Sequence, residues 1–272
     1  MTTTLLVQLG FQFLFVDPVL EGRYEALQLE DRLERNIAIG LLIPHIPALP
    51  NVRVGLNVYH RRNNERDFGM DDNGVSLNAT WRALSRVALS GGASLENSNV
   101  QLFTGDNLED YLMMVMNPRL NRLLRVPTVD FRDNPFDPSQ GFFASLTGEY
   151  AVPLSAEPQG EEMVPFESNF LKVTVNTSGY IPILDDVVFA VSARFGRVIH
   201  LTENSQTYPN RSYYLGGIET MRGYYQDAMI PQDRARAIAA DPDLGPNDVV
   251  RAGDTFFIFR GELRFPIFGP LY

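Results

Sequence analysis

One stretch of the sequence concentrates residues that can shape an unusual backbone and carry a charge, residues 213–225, which read YYLGGIETMRGYY. The notable positions are Gly216, Gly217, Arg222, Gly223 and Tyr224. Paired glycines allow positive φ angles or the close approach of another surface. An arginine followed by a glycine can hold its guanidinium at the tip of a tight bend. Motifs this short also occur in ordinary surface turns by chance. The elements on either side of the stretch therefore determine whether it is an ordinary turn or a functional bend.

A second stretch, residues 133–141 or DNPFDPSQG, is rich in turn-forming residues. Pro135 and Pro138 fix φ, Asn134 following Asp133 starts a turn, and Gly141 ends it. The segment therefore predicts a structural turn with no catalytic role.

Residues for catalysis or metal binding do not form recognisable motifs. The chain has no cysteine, and its three histidines, His45, His60 and His200, fit no zinc spacing. The acidic segment 241–248 lacks the ligand spacing and terminal glutamate of a calcium loop. There is no G-x-S-x-G elbow and no phosphate-binding glycine loop. The sequence predicts no enzyme, no metal and no cofactor.

Composition narrows the class of protein further. The 272 residues carry a net charge of −10, which argues against a nucleic-acid partner. Hydrophobic residues make up 44%, and no apolar run approaches the ~18–20 residues of a membrane helix. The first 18 residues have neither a basic region nor a small-residue cleavage site, so they do not form a signal peptide. We expect this chain to be part of a longer one.

The dominant pattern is an alternation of apolar and polar residues, which predicts β-strands with one apolar and one polar face. It is strong at residues 5–15, 52–58, 75–81, 87–95, 142–150, 171–175, 187–193 and 255–265, and weaker at 23–30, 35–43 and 122–133. This gives an all-β chain of about eleven strands. Helical periodicity occurs only at 232–240.

Two architectures produce this alternation, a soluble β-sandwich or barrel with its apolar face inside and a membrane barrel with that face outside. The segments run ~9–13 residues, which suits a tilted bilayer crossing. Short turns at 134–140 and 181–186 alternate with long polar connections at 97–121, 153–168 and 225–254, as in outer-membrane barrels. The pattern favours a transmembrane antiparallel β-barrel of the outer-membrane type. It predicts that Glu149 faces the lumen and Leu146 faces lipid.

Three segments resemble a known family. LGGIETMRGYY at 215–225 resembles a loop motif of the outer-membrane assembly-factor or bacterial surface antigen superfamily, the BamA/TamA type. Residues 129–151 resemble its strand–turn–strand with an R-D-N-P-x-x-P-x-x-G turn, and residues 257–270 resemble a later strand ending in E-L-R-F-P. The resemblance is clear over 129–272; before that only the alternation fits.

The resemblance implies a barrel of about sixteen strands preceded by POTRA domains. Residues 1–272 are then a single incomplete barrel domain, without POTRA domains and without the last strands, and 225–254 is a long lumen-associated or external loop. Whether the missing parts lie on the same polypeptide stays open.

The resemblance also implies a site. Arg222 would sit at the tip of a loop that folds back into the lumen, held by the carboxylate of Glu262. The alternation independently places Glu262 on the polar face. The alternative is that Glu262 pairs with Arg260 or Arg264 on its own strand. A second acidic partner of the family's arginine falls in a strand that this chain does not contain.

The implied function is that of an assembly factor in the bacterial outer membrane, which folds and inserts other outer-membrane proteins by strand-edge templating. Its partners would be unfolded client proteins, the lipid bilayer and accessory assembly subunits, with no nucleic acid. The alternatives are a two-partner secretion pore of the same superfamily, a passive porin and a soluble β-sandwich binding module.

Overall fold

The computed structural model describes residues 3–13, 33–64, 68–102, 119–153, 168–184, 186–203, 205, 207, 209–242 and 251–265. Within them the chain forms one ten-stranded sheet in which each strand pairs antiparallel with the next in sequence. The strands are β1 (Thr4–Phe13), β2 (Leu33–Ile43), β3 (Val52–Asn64), β4 (Phe68–Leu84), β5 (Val87–Leu102), β6 (Arg119–Asp130), β7 (Gly141–Pro153), β8 (Phe170–Leu184), β9 (Val187–His200) and β10 (Thr255–Arg264). The single α-helix of this part of the chain is α1 (Gln232–Ala240).

The all-β prediction is confirmed, and ten of the eleven predicted strands are present. The eleventh, residues 23–30, lies outside the described residues. Helix α1 has the predicted bounds.

Two predicted connections begin too early. The turn expected at 181–186 begins only after Leu184, where β8 ends. The connection expected at 97–121 begins only after Leu102, because β5 continues alongside the first residues of β4. Polar residues interrupt the alternation there, yet Ser98 donates a hydrogen bond to Asp72 Oδ1 across the sheet at 2.6 Å. The extension is therefore held by polar contacts that no periodicity reveals.

The two faces of the sheet differ in chemistry as the alternation requires. The inner face, on which residues 211–224 of the connection between β9 and β10 lie, contains buried polar side chains such as Glu96 and Glu149. The outer face presents large apolar side chains to its surroundings: Leu77 is 52% exposed and Phe257 67%. Leu146 is also exposed, whereas Glu149 is 7% exposed on the inner face. A soluble sandwich would bury the apolar face, so this arrangement contradicts that alternative.

The two ends of the sheet also differ. Connections after β2, β4, β6 and β8 are short, and most of those at the other end are long. Long connections mark the external side of outer-membrane barrels.

Among the described residues, β1 and β10 each have a strand partner on one side only. No helix in the described ranges is long and apolar enough to span a membrane.

Adjacent positions in the middle of β4 test the assignment of faces. Leu77 points to the outer face and Asn78 to the inner face, and both are exposed. Leu77→Arg should lower the free energy of unfolding of the vesicle-inserted protein by about 2–4 kcal/mol, because it places a charge near the bilayer midplane. Asn78→Arg, the matched control, should change it by less than about 1 kcal/mol. Equal effects in urea titrations of vesicle-inserted protein would contradict the assignment.

Candidate functional site: a loop anchored on the inner face

The inner face of β5 and β7–β10 carries a set of charged side chains whose positions follow from the strand register. Glu149 on β7 lies directly opposite Lys172 on β8, and Asn176 on β8 lies opposite Arg194 on β9. Arg194 donates from Nε to Asn176 Oδ1 at 3.0 Å. Cross-strand partners of this kind support one another on a sheet face. The wall thus offers both carboxylates and cations to whatever covers it.

The connection between β9 and β10 covers this wall, and Arg211 is its most deeply engaged side chain. Arg211 ends a short 3₁₀ helix, Pro209–Arg211. Its Nη2 forms a close ion pair with Glu96 on β5, and its Nη1 lies 3.1 Å from Glu149 Oε1 on β7. Glu149 Oε1 receives no well-aligned hydrogen bond, so that contact is an ion pair only. One guanidinium therefore joins two strands separated by β6.

Lys172 completes this anchor from β8. Its Nζ donates to the backbone carbonyl of Arg211 at 2.6 Å and lies 4.4 Å from the centre of the Tyr213 ring. Two cations and two carboxylates meet here in a largely buried place, where an unpaired charge is costly. The docked loop therefore supplies Arg211, the cation that pairs with both carboxylates.

Tyr213 fixes the loop just after the anchor. Its hydroxyl donates to the carbonyl of Val173 at 3.0 Å and lies 2.7 Å from Thr174 Oγ1, while its ring packs edge-on against Phe256 with centroids 4.7 Å apart. The ring lies directly over Gly196. A Cβ at Gly196 would come within 2.6 Å of Tyr213 and 2.3 Å of Phe256, so this position requires glycine.

The two arms of the loop are joined by backbone hydrogen bonds. Tyr213 and Gly253 exchange a pair of N–H···O bonds at 2.9 and 3.0 Å, and the Met229 amide donates to the carbonyl of Leu215 at 2.9 Å. The arm that leaves the tip is therefore tied to the arm that approaches it.

The tip of the loop, residues 216–224, is a compact double bend. Gly216, Gly217 and Gly223 all have positive φ, and a Cβ at Gly216 would lie 2.2 Å from the Tyr225 carbonyl. Thr220 Oγ1 donates to the carbonyl of Gly216 and accepts from its amide. The Gly217 amide donates to the carbonyl of Tyr224, whose side chain is exposed.

The wall holds this tip through backbone carbonyls. Arg194 donates to the carbonyl of Glu219 at 3.2 Å, and Arg260 donates to the carbonyls of Glu219 and Thr220. Hydrogen bonds from a charged donor are stronger than those between neutral groups. Binding of the tip thus depends on the conformation of its backbone and on arginines of the sheet.

Arg222 is bound more loosely. Its Nη2 lies 3.5 Å from Glu262 Oε1, and its side chain is 67% exposed. Glu262 is at the same distance from Arg264 through its other oxygen, so the carboxylate is shared between a loop cation and a strand cation. An exposed pair of this kind contributes about 0–1 kcal/mol. The structure brings Arg222 and Glu262 together, while the role expected for the pair stays a prediction.

The turn at 133–141 lies at the opposite end of the sheet. Asp133 accepts hydrogen bonds from the amides of Ser139 and Gln140 and from the Ser139 hydroxyl. The Ser139 hydroxyl and the turn amides stabilise the carboxylate and lower the pKa of Asp133 to about 2. Because this pKa lies below its ordinary value, the stabilisation is complete above about pH 4 and is lost as the pH falls through 2.

The remaining turn residues have structural partners too. Asn134 Oδ1 accepts from the Phe136 amide, and the carbonyl of Pro135 accepts from Arg132 Nη1. Pro138 is buried, and Gly141 has φ 105° with no room for a Cβ beside the carbonyl of Phe131.

Sequence reasoning missed the principal anchor. Alternation placed Glu96, Glu149 and Lys172 on polar faces, but nothing near Arg211 in the sequence identifies it as their partner. The available signal was the pair of acidic side chains on the inner face, which required a cation from elsewhere. Across the described ranges, no group of three or more histidine or acidic side chains could hold a metal.

A ten-stranded antiparallel sheet with an apolar outer face and a loop folded onto its polar inner face defines a section of an outer-membrane-type β-barrel. The sequence profile of the Omp85 superfamily domain matches residues 8–271, and the chain belongs to this superfamily. The superfamily serves insertion and transport in the outer membrane and is not enzymatic. The predicted superfamily, fold class and outer-membrane location are confirmed.

Solved structures agree on the fold. BamA from Haemophilus ducreyi lacking POTRA domains 1–3 matches with a TM-score of 0.66 and 15% identity, over 88% of this chain and 46% of that one. CdiB from Escherichia coli matches with a TM-score of 0.52 and 17% identity, over 88% of this chain and 40% of that one. The chain thus spans less than half of either protein. Comparison with curated proteins gives no match.

The relative strength of the two loop arginines can be tested by hydrogen exchange. Arg211→Ala should leave two largely buried carboxylates without their cation at a cost of about 3 kcal/mol, near the lower end of the range for broken buried pairs. If the loop opens locally, exchange protection of the Tyr213 and Gly253 amides should fall about a hundredfold.

Arg222→Ala is the matched control, an arginine of the same loop whose pair is exposed. It should lower the same protection at most about fivefold. An equal or larger effect of Arg222→Ala would show that the anchor has been assigned to the wrong residue.

Proposed function

We propose that this chain is the barrel section of an assembly factor that folds and inserts other outer-membrane proteins by strand-edge templating. Membership of a superfamily for insertion and transport supports this proposal. The observation that carries it is the loop anchored by Arg211 across β5 and β7. A loop fixed to several strands can hold the sheet in one curvature while strands elsewhere in the barrel separate.

Strand-edge templating follows from the physics of the bilayer. An unpaired edge in lipid leaves backbone N–H and C=O groups without partners, and each such group costs several kcal/mol. An incoming strand of a client pairs with that edge and removes the cost for both chains. The step needs no cofactor and makes no covalent bond. The client proteins, the accessory subunits and the surrounding bilayer are the partners that this mechanism requires.

The loop has a defined task in this mechanism. Residues 211–224 are fixed to β5, β7, β8, β9 and β10 through the contacts of Arg211, Lys172, Arg194 and Arg260. Residues 225–254 act as the lumen-associated or external part of the same connection. Rigid anchorage of five strands confines opening of the barrel to strands that the loop does not hold.

A two-partner secretion pore of the same superfamily is the second candidate, and the structural likeness to CdiB from Escherichia coli favours keeping it. A passive porin is disfavoured, since the loop covers the polar face that would line a diffusion channel. In both superfamily candidates, POTRA domains and further strands complete the molecule.

The two candidates differ in the substrates on which they act: an assembly factor folds many different proteins, whereas a secretion pore exports one. Full-length protein in vesicles should accelerate the folding of several unrelated unfolded outer-membrane proteins, measured as protease-resistant client over time. Vesicles without the protein give the uncatalysed rate. A secretion pore would leave those rates unchanged and move one large substrate into the vesicle, which would contradict the proposal.

The pair Arg222–Glu262 gives a second test within this function. Arg222→Ala should leave insertion of the protein intact and slow client folding up to about fivefold, because the exposed pair contributes about 0–1 kcal/mol to loop docking. Glu262→Ala should act similarly and also release Arg264.

The double variant should be less than additive, since both changes remove one interaction. Strictly additive slowing would show that the two residues act separately and would remove the pair from the mechanism.

A further inference from the structure

The outer face of β2–β5 changes from apolar to polar along the strands, and the register shows where. At one level Ile39, Val58, Val75 and Leu95 lie side by side. Two residues along each strand toward the end with the long connections, Ile37 lies beside His60, and Asn73 and Asn97 continue the row on β4 and β5. His60 Nδ1 lies 2.8 Å from Asn73 Oδ1. This polar row marks where the apolar belt ends.

The next level beyond the polar row holds three charges. Arg62 forms a close ion pair with Asp71 Oδ2, and Arg35 Nη2 lies 3.3 Å from Asp71 Oδ1. The three side chains together carry one positive charge in a chain whose net charge is −10. Arg35 is 31% exposed, so part of its guanidinium faces the surroundings, while its Nε is buried. Arg35 thus presents positive charge at the edge of the belt.

A groove of about 520 Å³ lies directly below this cluster. Its lining is mainly apolar, with Ile39, Val58, Val75 and Leu95 on the sides and His60 at the polar end. Arg35 lies on the same face, two residues along β2 from Ile37 at the polar end of the groove. An apolar groove with a cation just beyond its polar end matches an amphipathic molecule with an apolar chain and an anionic head.

We propose that this groove is a lipid site, in which one acyl chain lies against Val58 and Val75 while a phosphate-bearing head group is bound by Arg35. The position supports a lipid as the occupant, because the groove faces the bilayer and the cluster lies where head groups begin. A cation beside an apolar surface at that depth recognises lipid phosphate. Since the long connections lie on the same side, the lipid belongs to the external leaflet.

The arrangement gives each residue of the cluster a separate task. Arg62 is 4% exposed and neutralises Asp71, so the carboxylate does not repel a phosphate. Arg35 supplies the exposed positive charge that attracts phosphate oxygens. The inference depends on the barrel fold and not on the proposed assembly function.

The test uses a fluorescent reporter in the groove. Trp81 is the chain's only tryptophan, so Trp81→Phe with Leu95→Trp moves the fluorophore beside the site. Lipids brominated on the acyl chain quench a nearby tryptophan. In phosphatidylcholine vesicles, brominated phosphatidylglycerol should quench at about fivefold lower mole fraction than brominated phosphatidylcholine, given one interfacial cation.

Three variants in the reporter background decide the origin of that preference. Arg35→Gln should abolish it, and Arg35→Lys, which keeps the charge, should retain most of it. Arg53→Gln removes a charge from β3 at an exposed position on the inner face and should leave the preference unchanged. Quenching by brominated phosphatidylcholine checks that each variant is inserted.

Equal quenching by the two lipids in the parent reporter would overturn the proposal. So would loss of the preference in Arg53→Gln to the extent seen in Arg35→Gln, because the effect would then reflect net charge alone.

Discussion

Much of this structure depends on one guanidinium placed between two carboxylates on the inner face of the sheet. Glu96 and Glu149 project from strands that are not neighbours, and both are buried. Removing one partner of a buried ion pair costs far more than the pair contributes when it is complete. Arg211 therefore stabilises the buried carboxylates of this wall and also anchors the loop. The same charges that would destabilise an uncovered lumen make the docked loop the stable arrangement.

The loop is held in two ways that differ in strength. Its base is fixed by a largely buried ion cluster and by Tyr213, whereas its tip is held by arginines that reach its backbone carbonyls and by the exposed Arg222–Glu262 contact. Burial makes the first kind of contact persistent, and solvent weakens the second. The tip can consequently loosen while the base keeps the loop on the wall. The assembly function proposed above needs that combination of a fixed support and a region that can rearrange.

The outer face has the opposite chemistry, because it is in contact with lipid. Lipid offers no hydrogen bonds, so the strands must satisfy their backbone groups by pairing and present apolar side chains outward. The belt ends where His60 and Asn73 meet, and the cluster of Arg35, Arg62 and Asp71 follows within one step of the pleat. A sheet with a polar inner wall, an apolar belt and a charged rim is oriented in the membrane by its own side chains. Under the lipid proposal, the rim is the place on this face where one head group is distinguished from another.

The sequence by itself determined the strands, their two faces, helix α1, the turn at Asp133 and the superfamily, because alternation, turn residues and short motifs are local properties. It also placed Glu149 and Glu262 on the inner face. It did not reveal Arg211, whose partner Glu96 is 115 residues away, nor the continuation of β5 beyond Glu96. Only the tertiary structure decided these, since register and loop path bring together residues with no common pattern. For the same reason Arg222 stood out in the sequence although Arg211 is the more deeply engaged in the fold: glycines mark a bend, but burial and charge partners are set by the assembled sheet.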